Sequence, residues 1–112
     1  MDPVVLIDTI VTQPGEENTI KLYEVPRGYK LKINRVAVCF PRGSGGKVKV
    51  AIMRGNIKVY PDNGYFSGDG YPVESFIEKE FIDPDEINLY YKNEDDIEQL
   101  FTYVIEGYVE KR

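Results

Sequence analysis

The residues best suited to recognising another molecule lie in one loop near the middle of this 112-residue chain. Residues 60–71 combine four aromatic side chains with three oxygen-bearing polar ones: Tyr60, Tyr65, Phe66 and Tyr71 with Asp62, Asn63 and Asp69. Aromatic faces stack on sugar rings and the oxygens accept hydrogen bonds from hydroxyl groups, so the loop is a candidate carbohydrate site. Tyrosine-rich loops also suit protein contacts, because tyrosine supplies a large amphipathic area at low entropic cost. A third interpretation is a packed surface loop whose tyrosines cover one end of the fold.

The sequence offers little for catalysis or metal binding. It has no histidine, which excludes Ser–His–Asp and Cys–His sites and every histidine-ligated metal. Asp62, Asn63 and Asp69, and separately residues 94–96, could supply oxygens to calcium, but neither group has the spacing of an EF-hand loop. A carboxylate pair for glycoside hydrolysis is expected by chance among 19 acids. We therefore predict no enzyme, no cofactor and no metal, and the single Cys39 is expected to be a small buried hydrophobe.

Basic and acidic residues are segregated along the chain. Residues 21–58 contain ten basic residues and one acid, whereas residues 59–112 contain fourteen acids and four basic residues. A basic segment can bind nucleic acid, but the whole chain has a net charge of −5. The preferred interpretation is pairing with acids from residues 73–110 or from a neighbouring copy. The basic residues to which this prediction applies are Lys30, Lys32, Arg35, Lys47 and Lys49.

The apolar residues indicate an all-β protein. Valine and isoleucine total 23, against 7 for alanine and leucine, and β-branched side chains favour pleated strands. No segment has helical apolar spacing. Eight short apolar runs alternate with turn residues: 4–12, 19–25, 29–40, 47–54, 57–60, 73–82, 87–93 and 98–110.

Three local signals refine these strands. The third run changes phase at Asn34-Arg35, so we predict a β-bulge there that turns Leu31, Ile33, Val36, Val38 and Phe40 towards one core. Gly55-Asn56 predicts a two-residue hairpin. Asp83-Pro84-Asp85-Glu86 predicts a type I turn, with Asp first and Pro second.

Eight strands at this spacing predict an antiparallel two-sheet sandwich, and we favour a jelly roll. Its sheets would contain the first, eighth, third and sixth strands, and the second, seventh, fourth and fifth. Strand number, turn placement and length resemble those of small single jelly-roll proteins of viral capsids and virion decorations. The resemblance implies a structural particle subunit. The alternatives are a carbohydrate-binding module that uses the Tyr60–Tyr71 loop and a nucleic-acid-associated protein that uses residues 30–49.

The terminal strands predict a homo-oligomer, because both of their faces carry apolar residues where a strand with one wet face should alternate. The candidate interface residues are Val5, Ile7, Leu100, Phe101, Tyr103, Val104 and Ile105. The expected partners are copies of the chain and other particle subunits. With no basic segment at Met1-Asp2-Pro3 and no apolar run near the roughly 18 residues of a membrane span, we expect cytoplasmic synthesis and a place in a virion or particle. High Glu, Lys and Ile, with no His or Trp, is typical of a thermophilic source.

Overall fold

A computed structural model describes residues 1–112 as eight β-strands joined by turns and loops. Each strand begins and ends within two residues of its predicted run. The structure contains no helix capable of crossing a membrane. The strands are β1 (Asp2–Thr12), β2 (Glu17–Glu24), β3 (Tyr29–Cys39), β4 (Val48–Arg54), β5 (Ile57–Tyr60), β6 (Pro72–Ile82), β7 (Glu86–Asn93) and β8 (Gln99–Lys111).

The strands form two four-stranded antiparallel sheets in the predicted jelly-roll order. Sheet I has the order β1-β8-β3-β6 and sheet II has the order β2-β7-β4-β5. The inner faces enclose one core, whose fully buried side chains include Leu31, Ile52, Phe81, Leu89 and Phe101. The prediction of an all-β, eight-stranded jelly-roll sandwich is therefore confirmed.

The predicted bulge in β3 is present. Its register against both β6 and β8 shifts between Ile33 and Arg35. Residues on both sides of the shift face the core, because the extra residue reverses the parity of the strand. The five residues predicted to share the core are buried: Leu31, Ile33, Val36, Val38 and Phe40.

Of the two predicted turns, one is confirmed and one is wrong. Gly55 and Asn56 connect Arg54 to its cross-strand partner Ile57, and Gly55 has the positive φ of 58° that a tight hairpin requires. At Asp83-Pro84 the Asp85 N–H donates to the Ile82 carbonyl over 2.8 Å, so the turn begins one residue early. The Asp83–Pro84 peptide is cis, which is the geometry of a type VI turn and not of type I.

Candidate functional site

Sheet I presents apolar side chains to solvent along its terminal strand β1. Successive residues of a strand point to opposite faces of the sheet. Val4, Leu6 and Ile10 accordingly pack against the core. The alternate residues Val5, Ile7 and Val11 lie on the outer face with 58%, 62% and 52% of their surface exposed.

The register of sheet I aligns Ile7 and Val11 with apolar neighbours in β8, whereas Val5 lies opposite Glu106. Ile7 lies opposite Val104, which lies opposite Ala37 in β3. Val11 lies opposite Leu100, which is 48% exposed. Between these rows, Thr9 lies opposite Thr102, and Thr102 opposite Cys39. We call this surface the β1–β8 patch, formed by Val5, Ile7, Thr9, Val11, Ala37, Cys39, Leu100, Thr102 and Val104. Ala37 contributes little area to it, because only 5% of its surface is exposed.

The structure corrects two expectations about which face residues occupy. Phe101, Tyr103 and Ile105 were candidate interface residues, but they point into the core with 0%, 6% and 2% of their surface exposed. Cys39 was expected to be buried and is exposed, because the bulge that turns Val38 and Phe40 inward turns Cys39 outward. Of the candidate interface residues, Val5, Ile7, Leu100 and Val104 remain on the outer face.

Two threonines at the centre of the patch satisfy each other. The hydroxyl oxygens of Thr9 and Thr102 lie 2.8 Å apart and form a cross-strand hydrogen bond. A polar group that is already hydrogen-bonded costs less free energy to remove from water than an unpaired one. Burying these two hydroxyl groups in a contact therefore costs less free energy than burying two unpaired hydroxyl groups would.

Four of the five basic residues lie beside acids from later in the chain, in β6, in β8 or in the turn that follows β7. The Lys30 ammonium is 3.4 Å from Glu110, Lys47 is 3.7 Å from Asp95, and Lys49 is 3.3 Å from Glu94. Lys32 forms no ion pair, although it borders a small cavity of about 180 Å³ with Glu78, Lys79 and Glu80. The jelly-roll order places basic β3 between acidic β6 and β8, which interrupts any continuous basic surface.

Arg35 has two carboxylate partners and forms the shortest of these ion pairs. Its Nε donates to Glu74 over 2.7 Å, and its Nη1 lies 3.3 Å from Glu106 on the other neighbouring strand. The hydrogen bond to Glu74, followed by the negative charge of Glu106, raises the pKa of the Arg35 guanidinium above its ordinary value. The three side chains form a charged cluster on the outer face of sheet I, in which Glu106 lies opposite Val5 and Glu74 lies opposite Ala37.

The Tyr60–Tyr71 loop is tied to sheet II on one side and open on the other. Phe66 exchanges two backbone hydrogen bonds with Val50, of 2.8 and 3.0 Å, and is buried in the core, so it is not part of an exposed recognition surface. Tyr60 packs on Phe66 with 5.6 Å between ring centroids. Tyr65 packs on Tyr90 at 5.5 Å and lies under the Lys58 ammonium.

The polar residues of the loop have separate partners. Asp62 lies 3.4 Å from Lys79, and the Asp69 carboxylate accepts a hydrogen bond from the Gly43 N–H over 2.6 Å. Asn63 and Tyr71 are exposed. The loop lines neither cavity of the molecule. The larger cavity, of about 440 Å³, lies between Pro26-Arg27 and Asp83-Pro84. The structure therefore does not form the loop into a groove.

No group of three or more Cys, Asp and Glu side chains is arranged to hold a metal ion. In the acidic turn 94–96, the Asp95 carboxylate accepts hydrogen bonds and the Glu94 carboxylate forms an ion pair with Lys49. The Asp95 carboxylate accepts from the Asp96 N–H and from the Gln99 amide, and these hydrogen bonds, with Gln99 first, lower the pKa of Asp95 below its usual range. Asp95 therefore acts as a turn residue, and Glu94 pairs with Lys49 and Lys92.

No protein-family profile matches the sequence, and no curated protein matches it. Solved structures do share its fold. A chain from the capsid asymmetric unit of the cyanophage Pam1 matches with a TM-score of 0.58 at 5% identity, over 95% of this chain and 84% of that one. A chain from the acid-stable capsid of Helicobacter pylori bacteriophage KHP30 matches with a TM-score of 0.55 at 7% identity, over 100% and 95% of the two chains.

A further match is the nucleoplasmin-like N-terminal domain of Drosophila FKBP39, with a TM-score of 0.46 at 10% identity, over 96% and 92% of the chains. A TM-score at that level does not establish a shared fold. At 5% and 7% identity, the two phage structures establish a common jelly-roll fold with chains found in phage capsids. The class-level resemblance inferred from strand number and turn placement is thereby confirmed.

Proposed function

We propose that this protein is a non-enzymatic, self-assembling structural subunit of a virus particle, either part of the capsid or a protein that decorates it. The observation that carries the proposal is the β1–β8 patch, an exposed apolar surface on a jelly-roll sandwich. Val5, Ile7 and Val11 together with Leu100 are all about half exposed or more. The largest apolar patch on a typical monomer covers about 300–600 Å² and is often a functional contact surface.

The similarity to chains of two phage capsids supports the particle part of the proposal. Since many unrelated functions share one fold, the fold supports this role only together with the patch. The role needs neither a catalytic group nor a cofactor. It places the chain in the assembled particle after synthesis in the cytoplasm, with copies of itself and other particle subunits as partners.

The particle role has a direct test. Quantitative mass spectrometry of virus particles purified from the source of this gene should find the chain in many copies, at a fixed ratio to the other structural proteins. Particles that form without the chain among their structural components would contradict the role.

The ion pairs lead us to predict no general affinity for nucleic acid. Lys30, Arg35, Lys47 and Lys49 are each within 4 Å of a carboxylate, so binding phosphate would first require breaking an existing pair. In fluorescence anisotropy with a labelled DNA duplex, we expect no binding at physiological salt. Binding that weakens steeply as salt is raised would instead support the nucleic-acid alternative.

A further inference from the structure

We propose that the β1–β8 patch pairs with the same patch of a second copy across a two-fold axis that passes close to Thr102. The inference deepens the proposed function and rests on it. The occupant of the patch is a second copy of this chain, and the relation between the copies is isologous, so each residue of the patch meets its own equivalent or a neighbour of it.

Charged and uncharged residues are separated on the outer face of sheet I. None of the nine patch residues is charged, and together they cover the end of the sheet that contains Val11 and Leu100. Charges border the patch on its other side, where Val5 lies opposite Glu106, Glu106 opposite Arg35, and Ala37 opposite Glu74. Beyond Arg35 lie Lys30, Lys32 and Glu110. A two-fold axis that crosses the strands near Thr102 places the Val11–Leu100 row of one copy over the Ile7–Val104 row of the other. The ends that carry Glu106 and Arg35 then point away from each other.

The other outer surfaces of the sandwich do not match the patch in charge. An uncharged apolar patch needs an uncharged apolar partner, because burying an unpaired charge is costly. The outer face of sheet II carries the cross-strand series Glu17, Lys92 and Lys49. Phe76 is 77% exposed on β6, but Glu74 and Glu78 flank it on the same face of the strand. Neither surface is an uncharged complement to the patch, whereas the patch complements itself, which is the condition for a two-fold contact.

Side chains hinder the addition of another strand at the neighbouring edge of sheet I. β1 is an edge strand, and its Thr9 N–H donates to the side chain of the preceding Asp8 over 2.8 Å. The edge strand β2 has the same arrangement, in which the Thr19 N–H donates to Asn18 over 2.8 Å. A side chain that occupies a backbone donor, and in β1 also brings a charge to the edge, makes the edge a poorer template for another strand. Contact through the face of the sheet is therefore favoured over contact through its edge.

The size of the patch determines the strength expected of the contact. The patch covers on the order of 300 Å² per copy when it is treated as flat. This area follows from a spacing of about 3.4 Å between residues along Val5–Val11 and of about 4.8 Å between the strands β1, β8 and β3. This is small for a permanent interface. The pair should therefore be reversible and depend on protein concentration. Inside a particle, many such contacts act together, and each one becomes effectively intramolecular.

The test uses charge pairing at Thr102, which is half-buried on the outer face, so both variants should fold. Thr102→Lys and Thr102→Glu should each be monomeric, because each brings two like charges together at the axis. When the two variants are mixed, a Lys–Glu pair replaces the repulsion and dimers should return in analytical ultracentrifugation. The matched control is Glu78→Lys in the charged half of the face, which should dimerise like the wild type.

Each outcome is decisive. Dimers in the mixture and not in either variant alone support the two-fold contact. If either Thr102 variant alone still dimerises, or if the mixture stays monomeric while the wild type dimerises, the two-fold contact is wrong, but self-assembly as a function is not. A wild type that is monomeric at every concentration overturns the inference and the self-assembly part of the proposed function together.

Discussion

Replacing Ile105 by aspartate should unfold the domain, whereas the same change at the adjacent Val104 should leave a folded monomer. Ile105 is 2% exposed within the core, so the substitution removes its packing and buries a carboxylate without a partner. Losing the isoleucine packing alone costs about 2–5 kcal/mol, and the buried charge adds to this, against a total stability of about 5–15 kcal/mol for a domain. Circular dichroism should show loss of the β-sheet signal.

Val104→Asp is the matched control because it introduces the same side chain one residue away on the opposite face. Val104 is only half-buried and lies in the patch between Ile7 and Ala37. Its substitution should change the free energy of unfolding by about 1 kcal/mol and abolish self-association through the patch. Two variants that unfold equally would contradict the assignment of faces, and a Val104→Asp protein that still self-associates would contradict the patch as the contact.

Gly107→Ala should destabilise the domain by about 3 kcal/mol or more, an unusually large effect for one added methyl group. A Cβ at Gly107 would lie 2.1 Å from the Lys32 carbonyl oxygen and 3.0 Å from the Ile33 Cα. Both are backbone atoms at the β3 bulge, so they cannot move aside as a flexible side chain would. β8 therefore has to pack tightly against the bulge that sets the phase of β3. Urea denaturation measures the loss.

Gly15→Ala separates this clash from the general effect of replacing glycine. Gly15 has a φ of 74°, and no atom lies within 4 Å of the place where an alanine methyl group would sit. An alanine there therefore meets only the conformational cost of a left-handed residue, which is about 1–2 kcal/mol. If Gly107→Ala is no more destabilising than Gly15→Ala, the close approach of β8 to the bulge is not a constraint on the fold.

The strand order and the bulge were predictable because they follow from short-range patterns. Leu31 and Ile33 differ in parity from Val36 and Val38, and a strand can place both pairs in one core only by inserting a residue. The register shift between Ile33 and Arg35 is that insertion. The charge segregation was informative for the same reason, since the predicted order places Arg35 between the acidic strands that supply Glu74 and Glu106.

The side-chain orientations that could not be predicted from the sequence depend on contacts between residues far apart along the chain. Apolar residues on both faces of β8 do not show which face is the core, and only packing against sheet II assigns Ile105 inward and Val104 outward. Phe66 resembles its exposed loop neighbours in sequence, but its backbone pairing with Val50 buries it. Cys39 could have been placed correctly, because the predicted bulge already implied that it points away from Val38 and Phe40. Gly107 gave no signal, since its constraint comes from the Lys32 carbonyl of another strand.

The central claim is that the chain associates with itself through the outer face of sheet I. Light scattering coupled to size-exclusion chromatography, repeated over a series of protein concentrations, tests it most directly. The weight-average mass of the wild type should rise from the 12.9 kDa of one chain towards twice that value as concentration increases, and Val104→Asp should remain at one chain throughout. A wild-type mass that stays at 12.9 kDa at every concentration would contradict the claim.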